Sequence, residues 1–247
     1  MYSCEFVAKR DFASDCIDTM SLKLLTIQTA TPAGSVALTA GERLLGELFL
    51  DVRRPHGGWL LGAVEQLLAA AGMTVADLDG FGVTIGPGAF TGLRVGLATV
   101  KGLAQATGKP VAGVSTLQTL ALQAPHAALP VCALLDARKQ EVYAALFAWQ
   151  EGSPRPLGQE RVLPPERLLR ELTGPTLFLG DGASAYRTLI ARQLGPRAYF
   201  VAETFAPPRA AHAAILALRA FTAGAALPAV QVNPVYIRPS EAELNKA

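Results

Sequence analysis

The residues between 86 and 96, GPGAFTGLRVG, have the types and spacing of a turn that could hold an anion. They follow a short apolar run at residues 81–85, which predicts a strand, and they precede a helical pattern from Thr91 to Thr107. Glycines and a proline between strand and helix predict a tight turn, with the free N–H groups of the helix start pointing out of it. Such a corner either binds an anion or lets another backbone approach closely.

Two common nucleotide-binding motifs fail on spacing. A Walker A loop needs four residues between its glycines and then a lysine, whereas only three residues separate Gly88 from Gly92 and no lysine follows. A dinucleotide fingerprint fits Gly86 and Gly88, but Thr91 stands where its third glycine should be. Gly88, Gly92 and Gly96 instead recur every fourth position and predict a bare stripe that favours close helix–helix contact. An internal turn packed against its own domain explains the same spacing.

Metal and nucleophile chemistry has little support elsewhere in the sequence. His56, His126 and His212 lie in separate segments, and no two histidines have the i, i+4 spacing of a helical metal site. A lone histidine such as His56, at a predicted helix start, is more often a hydrogen-bonding group than a ligand. The Gly-x-Ser-x-Gly context of a nucleophile is missing around the candidate serines, Ser35, Ser115 and Ser184.

Composition points to a well-buried globular protein, because 51% of the 247 residues are hydrophobic and 17% are charged. The net charge of only +2 argues against a surface that binds an RNA backbone without help from another protein. No apolar run reaches the roughly 18 residues of a membrane span. Three widely spaced cysteines indicate reduced thiols and a cytoplasmic protein.

The element pattern divides the chain into four parts. Residues 1–20 have no amphipathic period and are expected to be a poorly ordered leader or cloning scar. Strands in hairpins, then strands alternating with helices, predict an α/β first lobe at residues 21–116. A second two-strand opening begins a smaller lobe at residues 117–207, in which the Gly- and Pro-rich residues 151–165 are expected to be a loop. Residues 208–247 are expected to form a helix and an extended tail that returns to the first lobe.

The run GPGAFTGLR resembles the GPGSFTGLR signature of the TsaB (YeaZ) family, with Ala89 in place of the serine. Further matches follow in the family's order and extend the resemblance over residues 23–241: LLTIQTA and GSVAL at residues 24–38, His56 at a helix start, LDAR at residues 135–138, GDG at residues 180–182 and PVYIRP at residues 234–239. The resemblance implies a two-lobed ribonuclease-H-like actin/sugar-kinase/Hsp70 (ASKHA) fold, with mixed sheets flanked by helices.

The resemblance also implies a non-catalytic subunit of the complex that makes threonylcarbamoyladenosine at position 37 of tRNA. Its partners would be the transferase TsaD and the ATPase TsaE, with tRNA contacted indirectly and a homodimer formed when TsaD is absent. The implied docking surface is two helices, at residues 59–71 and 91–107. The interface residues expected there and in the preceding turn are Trp59, Leu60, Leu61, Gly86, Gly88, Phe90, Thr91, Gly92, Leu93, Arg94 and Gly96.

Enzymes of the ASKHA fold hold a metal with an acidic residue in the first strand, where this chain has Gln28. A neutral amide is a weak ligand for magnesium, so we expect no tightly bound cofactor and no metal site. Weak ATP or ADP binding with magnesium, or a nucleotide at the partner interface, stays open, as does a turn-organising role for Asp136. The residues that would bind the cofactor are Asp136, Gly180, Asp181 and Gly182. The alternative functions are a nucleotide-dependent ASKHA enzyme, either an ATPase or kinase-like, and a protease.

Overall fold

The computed structural model describes residues 22–51 and 55–238. The leader predicted at residues 1–20 therefore lies outside the described residues, as does the end of the chain after Arg238. Within the described residues the α-helices are α1 (Leu60–Ala70), α2 (Phe90–Thr107), α3 (Thr116–Ala121), α4 (Pro165–Glu171), α5 (Asp181–Ala185), α6 (Arg187–Leu194) and α7 (Ala210–Thr222).

The first lobe is built on a five-stranded sheet with the strand order β3-β2-β1-β4-β5. Its strands are β1 (Lys23–Gln28), β2 (Gly34–Ala40), β3 (Arg43–Leu50), β4 (Gly80–Gly86) and β5 (Val111–Ser115). The first three strands form an antiparallel meander, and β4 and β5 continue the sheet in parallel with β1. Strands β1, β2 and β4 are almost continuously buried, because helices cover both faces of the sheet.

The second lobe repeats this opening around a second sheet, in the order β11-β10-β6-β7-β8 with β9 paired to β7. Its strands are β6 (Val131–Asp136), β7 (Val142–Gln150), β8 (Ser153–Pro156), β9 (Arg161–Leu163), β10 (Thr176–Leu179) and β11 (Ala198–Phe200). Strands β8 and β9 correct the loop prediction for residues 151–165. Prolines are tolerated in β8 because it lies at the edge of the sheet, where a missing N–H breaks no internal pairing.

The helices form layers on the two sheets. Helices α1 and α2 share one apolar core with the first sheet, and α7 packs on its opposite face. Helices α4, α5 and α6 cover one face of the second sheet, and α3 covers the other. Because α3 and α7 also pack against each other, they lie between the two sheets, and the remaining helices form the outer layers. This architecture confirms the predicted α/β, two-lobed ASKHA fold.

Candidate functional site

The signature turn connects the end of β4 to the start of α2 and rests on the turn that follows β1. The Gly86-Pro87 peptide bond is cis, and the backbone N–H of Ala89 donates to the carbonyl oxygen of Ala30 at 2.7 Å. Ala89 is the N-cap of α2 and supplies no side-chain cap. The turn therefore brings the start of α2 against the chain's own first hairpin.

The glycine stripe has the second of its two predicted roles, packing against its own domain, so the assignment of these glycines to the partner interface is corrected. A Cβ at Gly92 would overlap the carbonyl oxygen of Thr29, and a Cβ at Gly96 would overlap the Thr29 hydroxyl. A Cβ at Gly88 would overlap the backbone of Ala30. The Thr29 hydroxyl also donates to the carbonyl oxygen of Gly92 at 2.9 Å. The inner stripe, defined as Gly88, Gly92 and Gly96, thus allows α2 to approach this chain's own backbone rather than a partner.

Three more predicted interface residues are also internal. Leu60 and Leu93 are each only 1% exposed and belong to the buried interior. Gly86 is buried, and a Cβ there would overlap the carbonyl oxygen of Val235 in the tail. The apolar phase of α1 and α2 turns Leu60 and Leu93 inward, and Gly86 ends the buried strand β4.

The remaining predicted interface residues are accessible. Leu61 and Phe90 are 55% and 38% exposed, Thr91 and Arg94 are exposed, and Trp59 is half-buried. They lie on or beside a surface rich in short side chains on the two predicted docking helices, most of whose residues were not among the predicted interface residues. We call this surface the outer face, and its exposed residues are Leu61, Gly62, Glu65, Gln66, Ala69, Thr91, Arg94, Ala98, Gly102, Gln105 and Ala106.

Arg94 contacts two aromatic rings at the start of α2. Its guanidinium carbon lies 3.7 Å from the ring centroid of Phe90, and its Nε donates to the hydroxyl of Tyr236 at 3.1 Å. The rings of Phe90 and Tyr236 are themselves 5.0 Å apart. Among the described residues Arg94 pairs with no carboxylate. The residue therefore joins the helix start to the returning tail.

The tail spans the two lobes. The N–H of Val235 donates to the carbonyl oxygen of Ile85 in the first lobe at 2.8 Å. Arg238 donates to the carbonyl oxygen of Ala137 at 2.6 Å and pairs with Glu141, both in the second lobe. The sequence motif PVYIRP carried the family resemblance, but its bridging role depends on contacts about 100 residues apart in sequence and was missed.

A cleft of about 500 Å³ lies between the lobes. The first lobe contributes the turn after β1 and the signature turn, and the second lobe contributes the hairpin between β6 and β7 and the start of α5. Phe90, Tyr143 and Tyr236 give it aromatic walls, while Asp136 and Asp181 bring carboxylates into it. Two of the four residues predicted to bind a cofactor, Asp136 and Asp181, therefore meet at one cleft.

Gln28 ends β1, just before the turn that lines the first-lobe side of this cleft. Its side chain is fully buried, and its Oε1 accepts a hydrogen bond from the backbone N–H of Ala30 at 2.7 Å. Its Nε2 donates to the carbonyl oxygen of Pro208 at 2.9 Å. The amide thus occupies, with two internal hydrogen bonds, the position at which enzymes of this fold are expected to present a carboxylate.

The second-lobe residues of the predicted cofactor site also have internal partners. One oxygen of Asp136 accepts from the N–H of Arg138 at 2.8 Å, and the other lies 3.1 Å from the Arg138 guanidinium. Asp181 accepts from the N–H of Asp136 at 3.1 Å, and burial, together with the nearby Asp136 charge, raises the pKa of Asp181. At Gly180 and Gly182 a Cβ would overlap the backbone of β6, so both glycines serve the close packing of α5.

Three other candidate groups, those of His56, Ser35 and Cys132, have structural surroundings. His56 Nε2 lies 2.9 Å from the carbonyl oxygen of Thr31, at the start of a short 3-10 helix (His56–Gly58). The Ser35 hydroxyl accepts from the N–H of Ala210 at 2.7 Å, and Glu47 accepts from the N–H of Ala211 at 3.1 Å. Ser35 and Glu47 thereby cap α7. Burial raises the pKa of the Cys132 thiol to about 12, which leaves it unreactive at neutral pH.

Residues 22–51 and 55–238 contain neither a metal-binding cluster nor a membrane-crossing helix. No group of three or more His, Cys, Asp or Glu side chains there could hold a metal ion. No helix there is both long enough and apolar enough to cross a bilayer.

Comparisons with known proteins identify the family. The model of a family described as "TsaD: tRNA N6-adenosine threonylcarbamoyltransferase" matches residues 50–246. The protein named tRNA threonylcarbamoyladenosine biosynthesis protein TsaB from Haemophilus influenzae is 30% identical over 236 residues, which cover 88% of this chain and 94% of that protein. Its namesake from Escherichia coli is 35% identical, over 68% of this chain and 75% of that protein.

A solved structure agrees. The YeaZ structure from Pseudomonas aeruginosa has 36% sequence identity and a TM-score of 0.76, and the match covers 87% of this chain and 99% of that chain. The resemblance drawn from the signature turn is thereby confirmed. These matches show that the chain belongs to the family that the TsaD model describes and, within it, to the TsaB (YeaZ) family.

Proposed function

We propose that the chain is a non-catalytic subunit that binds and activates the TsaD threonylcarbamoyltransferase. The complex would transfer threonylcarbamoyl to N6 of adenosine 37 in tRNAs that read codons starting with A. The names of the TsaB relatives support a role in this modification. Docking on TsaD, assembly with the ATPase TsaE and a homodimer in the absence of TsaD all belong to the proposal. So does a cytoplasmic location, because the proposed substrate is cytoplasmic tRNA.

The observation that carries the docking proposal is the outer face. Gly102 lies inside α2, where a glycine costs about 1 kcal/mol relative to alanine. Nothing in the described structure lies within 4 Å of a Cβ placed there, so no internal contact requires a glycine. Ala98 and Ala106, one helical turn to either side of Gly102, extend a row of short side chains along the same face. A partner helix that approaches this face closely would explain the row.

Non-catalytic action is proposed from the cleft. The Gln28 amide stands where a metal-binding carboxylate would be needed, and its hydrogen bonds to Ala30 and Pro208 are internal. Asp136 is held by Arg138, and Gly180 and Gly182 serve packing. We therefore propose that the chain has no tightly bound cofactor and binds ATP or ADP with magnesium weakly at most. A nucleotide at the TsaD interface is compatible with this proposal.

The docking proposal is tested with Gly102→Arg. The substitution adds bulk on the outer face but improves helix propensity, so the isolated protein should keep or slightly raise its melting temperature. Co-purification with TsaD should fall at least tenfold. Gly158→Arg is the matched control, because Gly158 lies in the second lobe and a Cβ there also meets nothing within 4 Å. Full co-purification by folded Gly102→Arg would reject the outer face as the docking surface.

The cleft still favours one alternative, a nucleotide-dependent enzyme, because its volume and its two carboxylates suit a nucleotide with a metal. Isothermal titration of the purified chain with ATP and magnesium separates the two functions. Under our proposal the heat signal stays weak up to millimolar ATP. Micromolar, magnesium-dependent binding would favour the enzyme.

A further inference from the structure

Positive charge is concentrated in one part of the second lobe. Residues 161–197 contain six arginines, no lysine and three carboxylates, a net charge of +3. The whole chain has a net charge of only +2, so the rest of it is slightly acidic. The low total charge therefore hides a local basic region, made entirely of arginine, in the segment that contains α4, α5 and α6.

Part of this region forms a groove at the ends of α4 and α6, with a volume of about 500 Å³. Its floor is made of buried leucines from α4, from the residue that follows α4 and from α6, and its rim carries Arg170, Thr173, Gln193 and Arg197. No carboxylate lies among the described residues that line it. The interlobe cleft differs in this respect, because Arg138 is paired there with Asp136 and Arg238 with Glu141.

The arginines around the groove differ in how they are held. Arg197 donates from one guanidinium nitrogen to the carbonyl oxygens of Leu172 and Thr173, at 3.3 Å and 2.9 Å. Those bonds fix the group at the end of α4. Arg170, on the rim, and Arg192, which precedes the rim residue Gln193 in α6, are exposed and form no ion pair with any described residue.

The acidic residue next to Arg170 in sequence does not neutralise it. Glu171 follows Arg170, but its carboxylate is bonded to Arg161 at 2.6 Å and lies 3.9 Å from Arg167. Glu171 thus has two arginine partners of its own, and they also hold its pKa low. The groove keeps a rim of cationic and neutral hydrogen-bond donors that have no acid opposite them.

We propose that this groove binds the phosphate backbone of tRNA. The proposal rests on the proposed function, which makes tRNA the substrate of the assembled complex. Guanidinium groups match phosphate in charge and in the geometry of two parallel hydrogen bonds, which an ammonium group does not reproduce. Phosphate contacts carry no sequence information but fix position and orientation on the nucleic acid. The groove would therefore help to position tRNAs of different sequence.

The position of the groove fits a shared complex. Helices α4 and α6 are in the outer layer of the second lobe, whereas the proposed docking helices, α1 and α2, are in the outer layer of the first. The pair α3 and α7 lies between the two sheets. A partner seated on the outer face of the first lobe would thus leave the groove open to a second macromolecule.

The test measures tRNA affinity of the chain in complex with TsaD, by fluorescence anisotropy with unmodified tRNA at several salt concentrations. The groove variant is Arg170→Glu with Arg192→Glu. The control variant is Arg43→Glu with Arg155→Glu, which changes net charge equally at exposed arginines elsewhere. We expect the groove variant to weaken binding about tenfold at low salt, and to reduce the slope of log affinity against log salt by about 1–2, the value for one or two lost phosphate contacts. The control should change affinity less than twofold.

Two results would overturn the proposal. Unchanged affinity in the groove variant would mean that the groove does not contact tRNA, and would leave an acidic protein as its partner. Equal weakening by both variants would mean that only the overall charge matters. Both variants should still co-purify with TsaD. If the unmodified chain itself fails to bind TsaD, the docking proposal is wrong, and the same titration of the chain alone still decides the groove.

Discussion

The two sides of α2 use glycine for opposite reasons. On the inner side, a Cβ at Gly92 or Gly96 would overlap the backbone or the hydroxyl of Thr29, so this chain's own fold requires glycine at both positions. On the outer side Gly102 meets nothing within 4 Å. A glycine that the chain's own packing requires is no evidence for a partner. A glycine that weakens a helix without any internal contact to explain it indicates a surface that a partner approaches. Spacing alone does not separate the two cases, because both lie on one helix.

Gly92→Leu should have the largest effect. Its Cβ would overlap the carbonyl oxygen of Thr29, which is backbone and has no rotamer to change. Overpacking costs about 1–3 kcal/mol where neighbours can shift, so we expect a loss of about 3 kcal/mol or more in the free energy of unfolding. Urea denaturation measures it, with Gly102→Leu as the outer-side control. Wild-type stability in Gly92→Leu would show that the inner side is not tightly packed.

Gly102→Ala should have a smaller effect of opposite sign. Alanine removes backbone entropy from the unfolded chain and clashes with nothing, so the free energy of unfolding should rise by about 0.5–1 kcal/mol. Differential scanning calorimetry would show this as a melting temperature a few degrees higher. A lower melting temperature would mean that Gly102 has an internal role, and the contrast between the two sides of α2 would then fail.

The smallest change in stability is expected for Arg94, which is exposed. Arg94→Lys and Arg94→Ala both lose the hydrogen bond from Nε to Tyr236 and the stacking on Phe90. Because Arg94 is exposed, we expect the loss of these contacts to cost about 0.5 kcal/mol, the low end of the usual range, so the melting temperature should fall by only about one or two degrees. Reconstituted tRNA modification should fall by similar factors in both variants. Full activity of the lysine variant would show that only the positive charge matters. A markedly lower melting temperature in both variants would show that Arg94 mainly stabilises the fold.

The strands and helices that position the site could be predicted because their patterns are local. Apolar runs gave β1, β4 and α2, and the turn chemistry of residues 86–90 gave the junction between them. The sequence also indicates which way the glycine stripe faces. Gly96 shares a helical face with Leu93, Leu97 and Val100, which are all buried. That apolar phase indicates the inner side.

Long-range partners could not be predicted in the same way. The loss of a metal ligand at Gln28 follows from its amide alone, but its bond to Pro208 spans 180 residues. Arg94 was predicted as an interface residue, and its observed partner is a tyrosine in the tail, 142 residues away. Strand β8 was missed because Pro154 and Pro156 are turn signals in isolation and become acceptable only at a sheet edge.

The start of α7 depends on residues far away in the chain. Arg209, its N-cap, supplies no side-chain bond, and the first two N–H groups of the helix are bound by Ser35 and Glu47 from β2 and β3. These bonds span more than 160 residues, so the helix has no cap until the antiparallel meander has formed. We therefore expect the meander and the start of α7 to open and close as one cooperative unit. In hydrogen exchange, the amides of Ala210 and Ala211 should open together with β2 and β3, although they belong to a helix.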